Sequence, residues 1–134
     1  MKTFLDSGVL LAAWRRTPIS DAALRVLTDD TREFYTSELV MLETLPQARH
    51  EKNRSEQEFY ATHFAGVVHC ECLSEALGKA AERLAGQYGL AGPDALQIAA
   101  AIRQGVTEFV TSEKPSKPMF RVKELKVVSL YSLA

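Results

Sequence analysis

Cysteine is nearly absent, charges of the two signs nearly cancel, and no apolar run is long; each lack removes a class of function. The two cysteines, Cys70 and Cys72, sit one residue apart, a poor spacing for a disulfide, which agrees with a reducing compartment. His63 and His69 lie nearby in sequence, but zinc needs ligands that converge tetrahedrally, and no second Cys/His cluster supplies them. On a strand the two thiols would share one face and are more simply small buried hydrophobes. Lys plus Arg number 16 against 17 Asp plus Glu, a net charge of -1, so the chain does not coat a polyanion and any nucleic-acid contact is local. The longest apolar stretch near the start, Val9 to Trp14, is too short to span a bilayer, and Asp6 interrupts a signal-peptide core. A soluble cytoplasmic protein with no membrane partner is expected. Gly-x-Gly-x-x-Gly, Gly-x-x-x-x-Gly-Lys-Ser/Thr and Gly-x-Ser-x-Gly are missing, which leaves nucleotide-binding and serine-hydrolase chemistry unsupported. No repeat, low-complexity segment or linker divides the chain, and 134 residues with 46% hydrophobic content can bury one core. Residues 1–134 therefore read as one domain.

Strand and helix signals alternate along the chain. Lys2 to Leu5 is short and apolar, and Ser7 is placed to cap a helix through Leu10, Leu11 and Trp14 that ends before Thr17-Pro18. Ser20 and Asp21 open a second helix with Ala23, Leu24 and Leu27 on one side, closed by Asp29-Asp30. Glu33 to Thr36 reads as a strand. Ser37 caps a third helix carrying Leu39, Val40, Leu42 and Leu45, with Pro46 within or just after its apolar run. Arg49 to Glu58 is the exposed start of a fourth helix, which Gly66 ends. Val67 to Cys72 is a third strand, and Ser74 opens a long helix stopped around Gly86 to Gly89. Gly92-Pro93-Asp94 starts a helix to Arg103, with Pro93 where no intrahelical bond is lost. Glu108 to Thr111 and Lys126 to Ser129 are two more strands. This alternation predicts an α/β fold with a parallel sheet, right-handed crossovers and helices on both faces.

In an open parallel sheet, ligands gather beyond the carboxyl ends of the strands, where strand order reverses. Asp6 directly follows Phe4-Leu5, and Glu113 follows Phe109-Val110-Thr111 with one residue between. Glu43 comes four residues after Leu39 and three after Val40, on an apolar helix face where a carboxylate needs a partner. Asp94 begins its helix. Carboxylates brought close together repel and take up protons unless a cation neutralises them. Oxygen ligands without a His/Cys cluster point to Mg²⁺ or Mn²⁺; such hard ions pair with phosphate, so the matching chemistry is phosphodiester hydrolysis. Each acid taken singly also has an ordinary role: Asp6 as a helix cap, Asp94 at a positive helix end, Glu43 as an exposed helix residue, Glu113 as a solvated loop acid beside Lys114.

Four segments carry a family resemblance: Phe4-Leu5-Asp6-Ser7-Gly8-Val9-Leu10, Thr36-Ser37-Glu38-Leu39 through Glu43, Asp94-Ala95-Leu96-Gln97-Ile98-Ala99, and Val110-Thr111-Ser112-Glu113. In this order, covering nearly the whole chain, they resemble the PIN-domain ribonucleases, especially the VapC-like toxins of bacterial toxin–antitoxin pairs. The Asp-Ala-Leu helix start and the Thr-Ser-acid turn are the most specific pieces. The resemblance implies a five-stranded parallel sheet ordered 3-2-1-4-5 and a catalytic set of Asp6, Glu43, Asp94 and Glu113 around Mg²⁺ or Mn²⁺, directly or through water. It also implies an RNA substrate, a cognate antitoxin and a homodimer. The fourth acid is usually Asp in the family, and Glu113 departs from it by one methylene. Ser7 and Thr111 are expected to orient carboxylates or waters, with helix capping and turn formation as their alternative roles. Arg15 and Arg16 after the first helix, with Lys114, Lys117 and Arg121 after Glu113, are the candidate RNA contacts. An apolar groove between the second and fourth helices is the expected antitoxin seat. Two other readings stay open: a PIN-fold antitoxin- or RNA-binding module with weak or lost catalysis, and a related DNA or structure-specific nuclease.

Overall fold

A computed structural model describes residues 1–134. Its elements run β1 (Lys2–Leu5), α1 (Ser7–Trp14), α2 (Ser20–Leu27), β2 (Glu33–Ser37), α3 (Glu38–His50), α4 (Arg54–Ala65), β3 (His69–Glu71), α5 (Glu75–Tyr88), α6 (Gly92–Arg103), β4 (Glu108–Thr111) and β5 (Lys126–Ser129), with short 3₁₀ turns at Pro118–Arg121 and Leu130–Ser132. The five strands form one sheet in the order β3-β2-β1-β4-β5, and every pairing is parallel. This is the expected architecture. No helix is long and apolar enough to cross a membrane.

The central position of β1 follows from its residues. Thr3, Phe4 and Leu5 are essentially without solvent exposure, as is β4 alongside, and a strand buried on both faces has to sit between other strands and under helices. Phe4 stacks on Phe109 of β4 with ring centroids 5.4 Å apart. Against β2 and α5 lies α6, whose Ala95, Ala99, Ala100 and Ala101 are buried; side chains this small let the helix backbone come close to its neighbours.

Three local expectations are corrected. Arg49 to Glu58 is not one helix start: α3 continues through Pro46 to His50, the chain turns at Lys52 with φ 55°, and Asn53 caps α4 by accepting from the Glu56 amide at 3.0 Å. The charged composition hid a buried pair, because Glu56 faces inward and accepts a hydrogen bond from the fully buried Tyr60 hydroxyl at 2.5 Å; that bond and burial push the tyrosine pKa far up. The third strand is only His69–Glu71, so Cys72 lies beyond its end and is exposed while Cys70 is half-buried. The thiols are not core residues; partial burial pushes Cys70 up in pKa and the charge of Glu38 pushes up Cys72, against thiolate chemistry.

At the amino ends of the strands, Glu108 is buried and accepts from the Thr3 hydroxyl and the Arg32 guanidinium, each at 2.8 Å, while Arg32 also reaches Asp29 at 2.7 Å. Removing the carboxylate leaves a buried hydroxyl without its partner and a largely buried guanidinium with Asp29 alone. Glu108→Ala is therefore expected to lower unfolding free energy by about 3 kcal/mol, read from the urea midpoint, with Glu108→Gln losing less than half as much. Equal midpoints for all three proteins would remove the network from the account of stability.

Candidate active site

The carboxyl ends of β1 and β4 lie side by side, with Leu5 in register with Val110, and the next residue of β1 is Asp6. Its backbone amide still continues the ladder, donating to the Val110 carbonyl at 3.1 Å. Asp6, and not Ser7, is the N-cap of α1: its Oδ1 accepts from the Val9 amide at 3.1 Å, and its Oδ2 accepts from the Thr111 hydroxyl at 2.5 Å. Both carboxylate oxygens are thus fixed, one by each of the two elements that meet there. Thr111 in turn accepts from the Glu113 amide at 3.1 Å, so one hydroxyl links the first acid to the turn that carries the last.

Asp6 is only 7% exposed, and burial drives its pKa up to about 7 against the two hydrogen bonds, with the charges of Asp94 and Glu113 pushing the same way. Asp94, half-buried at the start of α6, is raised in pKa by burial and by the charges of Glu113 and Glu43. Asp6 thus feels Asp94 and Glu113, and Asp94 feels Glu113 and Glu43. Glu43 reaches the group from an exposed position on α3, where its Oε1 accepts from the Ser7 hydroxyl at 3.1 Å and from the Gln97 amide at 2.5 Å. As the side chains stand, no three of His, Cys, Asp or Glu are grouped so as to hold a metal ion; Glu43 is turned onto Ser7 and Gln97.

Gln97 is the residue that sequence reasoning missed. It is 5% exposed, holds Glu43 through its amide nitrogen and accepts from the Ser7 amide through its carbonyl at 3.3 Å. The signal was present: a polar side chain between Leu96 and Ile98 on a buried helix, three residues after Asp94 and so on the same side. The Ser7 hydroxyl thus donates to Glu43 and does not cap α1, and the Thr111 hydroxyl donates to Asp6.

Of the expected cations, Lys117 lies close enough to Asp94 to favour its charged form. Arg15 and Arg16 follow the last residue of α1, the end of the helix remote from Asp6, so they do not stand beside the acids. Residues 3–115 match the family model described as the PIN domain. This chain belongs to the PIN-domain family. No curated protein matches its sequence. Among solved structures, this PIN domain is similar to a toxin–antitoxin complex from Klebsiella pneumoniae at TM-score 0.71 and 17% identity over 96% of this chain and 98% of the other. VapBC2 from Rickettsia felis, bound to a DNA fragment from its promoter, is similar at TM-score 0.69, 17% identity and the same coverage. VapC20 of Mycobacterium tuberculosis, described as a sarcin-ricin loop cleaving toxin, is similar at TM-score 0.68 and 16% identity over 92% and 98% of the two chains. At these identities the likeness is one of fold.

The donor set of this PIN domain is of the chemical kind that suits a divalent ion, although as the side chains stand they are not grouped around one point. Four carboxylates offer hard oxygen ligands, and the most buried of them, Asp6, is destabilised in its charged form by burial and by its neighbours. A cation would remove that opposition, which the hydrogen bonds from Thr111 and Val9 only partly offset.

Proposed function

We propose that this PIN domain is a Mg²⁺- or Mn²⁺-dependent endoribonuclease, a cytoplasmic toxin that works as a homodimer and is held in check by a cognate antitoxin. The observation that carries the reading is Asp6, a buried carboxylate fixed by two elements and surrounded by acids whose charges oppose its own. Asp6, Glu43, Asp94 and Glu113 would hold the ion, directly or through water. When bound, a divalent ion orients the scissile phosphate, stabilises developing charge and lowers the pKa of an attacking water. The chain's own residues prepare that site. Val9 and Thr111 fix both Asp6 oxygens, Ser7 and Gln97 hold Glu43 at the edge of the site, and the Thr111 link sets the Glu113 turn against Asp6.

The antitoxin reading is supported by a second feature. A cavity of about 530 Å³ lies between α2 and α4, lined by Trp14, Leu27, Phe34 and Phe59 among others. Its aromatic walls suit the apolar side of a partner helix, and two of the similar structures are toxin–antitoxin pairs. One observation favours a second reading, an antitoxin- or RNA-binding module with little catalysis: Glu43 is engaged by Ser7 and Gln97 rather than grouped with the other acids.

Incubation with single-stranded RNA in Mg²⁺, Mn²⁺ or chelator separates the two. Metal-dependent internal cleavage that falls more than about 100-fold in Asp94→Asn is expected. Intact RNA under every condition, together with no Mn²⁺ heat of binding that depends on Asp94, would leave only the binding module. Parallel single-stranded DNA should be cut far more slowly if the substrate class is right. Gln97→Leu keeps the side-chain bulk but frees Glu43, and should weaken Mn²⁺ binding by calorimetry about tenfold; unchanged affinity would remove Gln97 from the site.

A further inference from the structure

A second cavity, of about 340 Å³, begins at Gly8 and Ser112 and runs along α1 past Leu11 to Arg15, with Tyr131 in its wall. Its mouth is at the candidate active site, since Gly8 and Ser112 are neighbours in sequence of Ser7 and Glu113 and an added Cβ on Gly8 would come within 3.3 Å of Asp6 Oδ1. From there the eight residues of α1 rise about 12 Å, so a single nucleotide seated at the acids does not reach Arg15.

The lining of this groove differs in kind from that of the α2–α4 cavity. No acid lines it, and its far end carries the exposed guanidinium of Arg15. The larger cavity has aromatic walls, the acid Glu58 and no Lys or Arg, which suits a protein helix and not a polyanion. Tyr131 is 43% exposed, so its ring is accessible in the wall of the groove. The Lys114 ammonium stands 5.6 Å from its ring centroid. The ring is also tied to the site: the Tyr131 amide donates to the Ser129 hydroxyl at 3.1 Å, and that hydroxyl donates to the Glu113 carbonyl at 2.6 Å. One side chain therefore fixes Tyr131 relative to the last acid.

We propose that this groove carries the single-stranded RNA segment next to the scissile bond, with a base packed against Tyr131 and phosphates met by Lys114 and Arg15. Charge complementarity and continuity with the acids select a nucleic acid over a peptide, and an exposed aromatic beside cations is the arrangement on which unpaired bases stack. The substrate class rests on the nuclease reading, and the test separates the two.

The measurement is fluorescence anisotropy with a labelled, unstructured RNA of about 12 nucleotides and with a labelled dinucleotide, every protein carrying Asp94→Asn so that the RNA stays intact. Tyr131→Ala is expected to weaken the longer RNA about tenfold and Tyr131→Phe to stay within about twofold, because stacking needs the ring and not the hydroxyl. The dinucleotide, too short to reach Arg15 from the acids, should bind the Arg15→Gln protein as before. Arg15→Gln and Lys114→Gln should each flatten the slope of log affinity against log salt by about 0.7. Unchanged binding of the longer RNA by Tyr131→Ala overturns the proposal and leaves the groove to a protein segment; so does a loss in Arg15→Gln that is equal for the dinucleotide, which would mean that the residue acts through the acid site. If RNA binds with the expected Tyr131 dependence but the unsubstituted protein never cleaves it, the groove stands and the nuclease reading falls. If no form binds RNA, both fall.

Discussion

Asp6→Asn should abolish Mn²⁺ binding, lower RNA cleavage by at least about 1,000-fold, and yet make the metal-free protein more stable above neutral pH. The opposite signs have one cause. Burial and the charges of Asp94 and Glu113 hold the Asp6 pKa near about 7 in the folded chain, above the ordinary carboxylate value of 3.8. Between those two values the folded state binds a proton that the unfolded state has released, so metal-free stability falls as pH rises through that window. The loss is on the order of 3 kcal/mol between about pH 5 and about pH 8. Asparagine keeps the shape, still accepts from the Val9 amide and still pairs with Thr111, but it has no charge to oppose. At about pH 8 its melting temperature should therefore exceed that of the unsubstituted protein by roughly 5 °C or more without metal. Saturating Mn²⁺ should reverse the order, because only the chain that binds the ion gains from mass action. A scan of melting temperature against pH, with and without Mn²⁺, reads all of this. If Asp6→Asn simply destabilises at every pH, the carboxylate is a helix cap and the cation site is wrong.

Gly8→Ala is expected to damage the site through space alone. Gly8 has no positive φ, so the glycine is not there for backbone freedom. A Cβ at this position would fall inside the Ser112 hydroxyl, 3.1 Å from Ser112 Cβ and 3.3 Å from Asp6 Oδ1. Ser112 begins the turn after β4, and its next residue is Glu113. The missing side chain therefore lets the turn close onto the first residues of α1, and the added methyl pushes it away. Overpacking of this kind costs about 1–3 kcal/mol, and misplacing one acid lowers cleavage roughly 100-fold. Ser112→Gly in the same chain removes the side chain the methyl meets and should recover most of both losses. The double-mutant cycle then shows a coupling of at least about 1 kcal/mol between residues that share no hydrogen bond. Additive losses would show that other contacts set the spacing of turn and helix.

How much of this was legible before folding depends on the kind of signal. Strands β1, β2, β4 and β5 and the starts of α2, α5 and α6 were readable because periodicity, capping residues and Gly or Pro act over a few neighbouring residues. The break between α3 and α4 was not, because Arg49 to Glu58 looks uniformly charged and only packing turns Glu56 inward onto Tyr60. The cysteines failed in the other direction: β3 ends at Glu71, so alternation along a longer strand gave Cys72 a face it does not have.

The sequence by itself determined that this is an α/β chain with an acid at the end of its first strand and three more acids in a recognisable order. Those are properties of short segments, and short segments encode them. Only the tertiary structure decided what surrounds each acid. Asp6 became a strained carboxylate when burial and β4 closed over it; Glu43, expected on an apolar face, proved exposed and held by Gln97. Arg15 and Arg16 follow the first helix as read, and Tyr131, unremarked in the sequence, came to stand beside the groove that leads to Arg15. Desolvation and Coulomb interactions depend on distance in space, and the pairs that matter here, Asp6 with Thr111 and Glu43 with Gln97, are joined only when the crossovers bring β1, β4, α3 and α6 to one edge of the sheet.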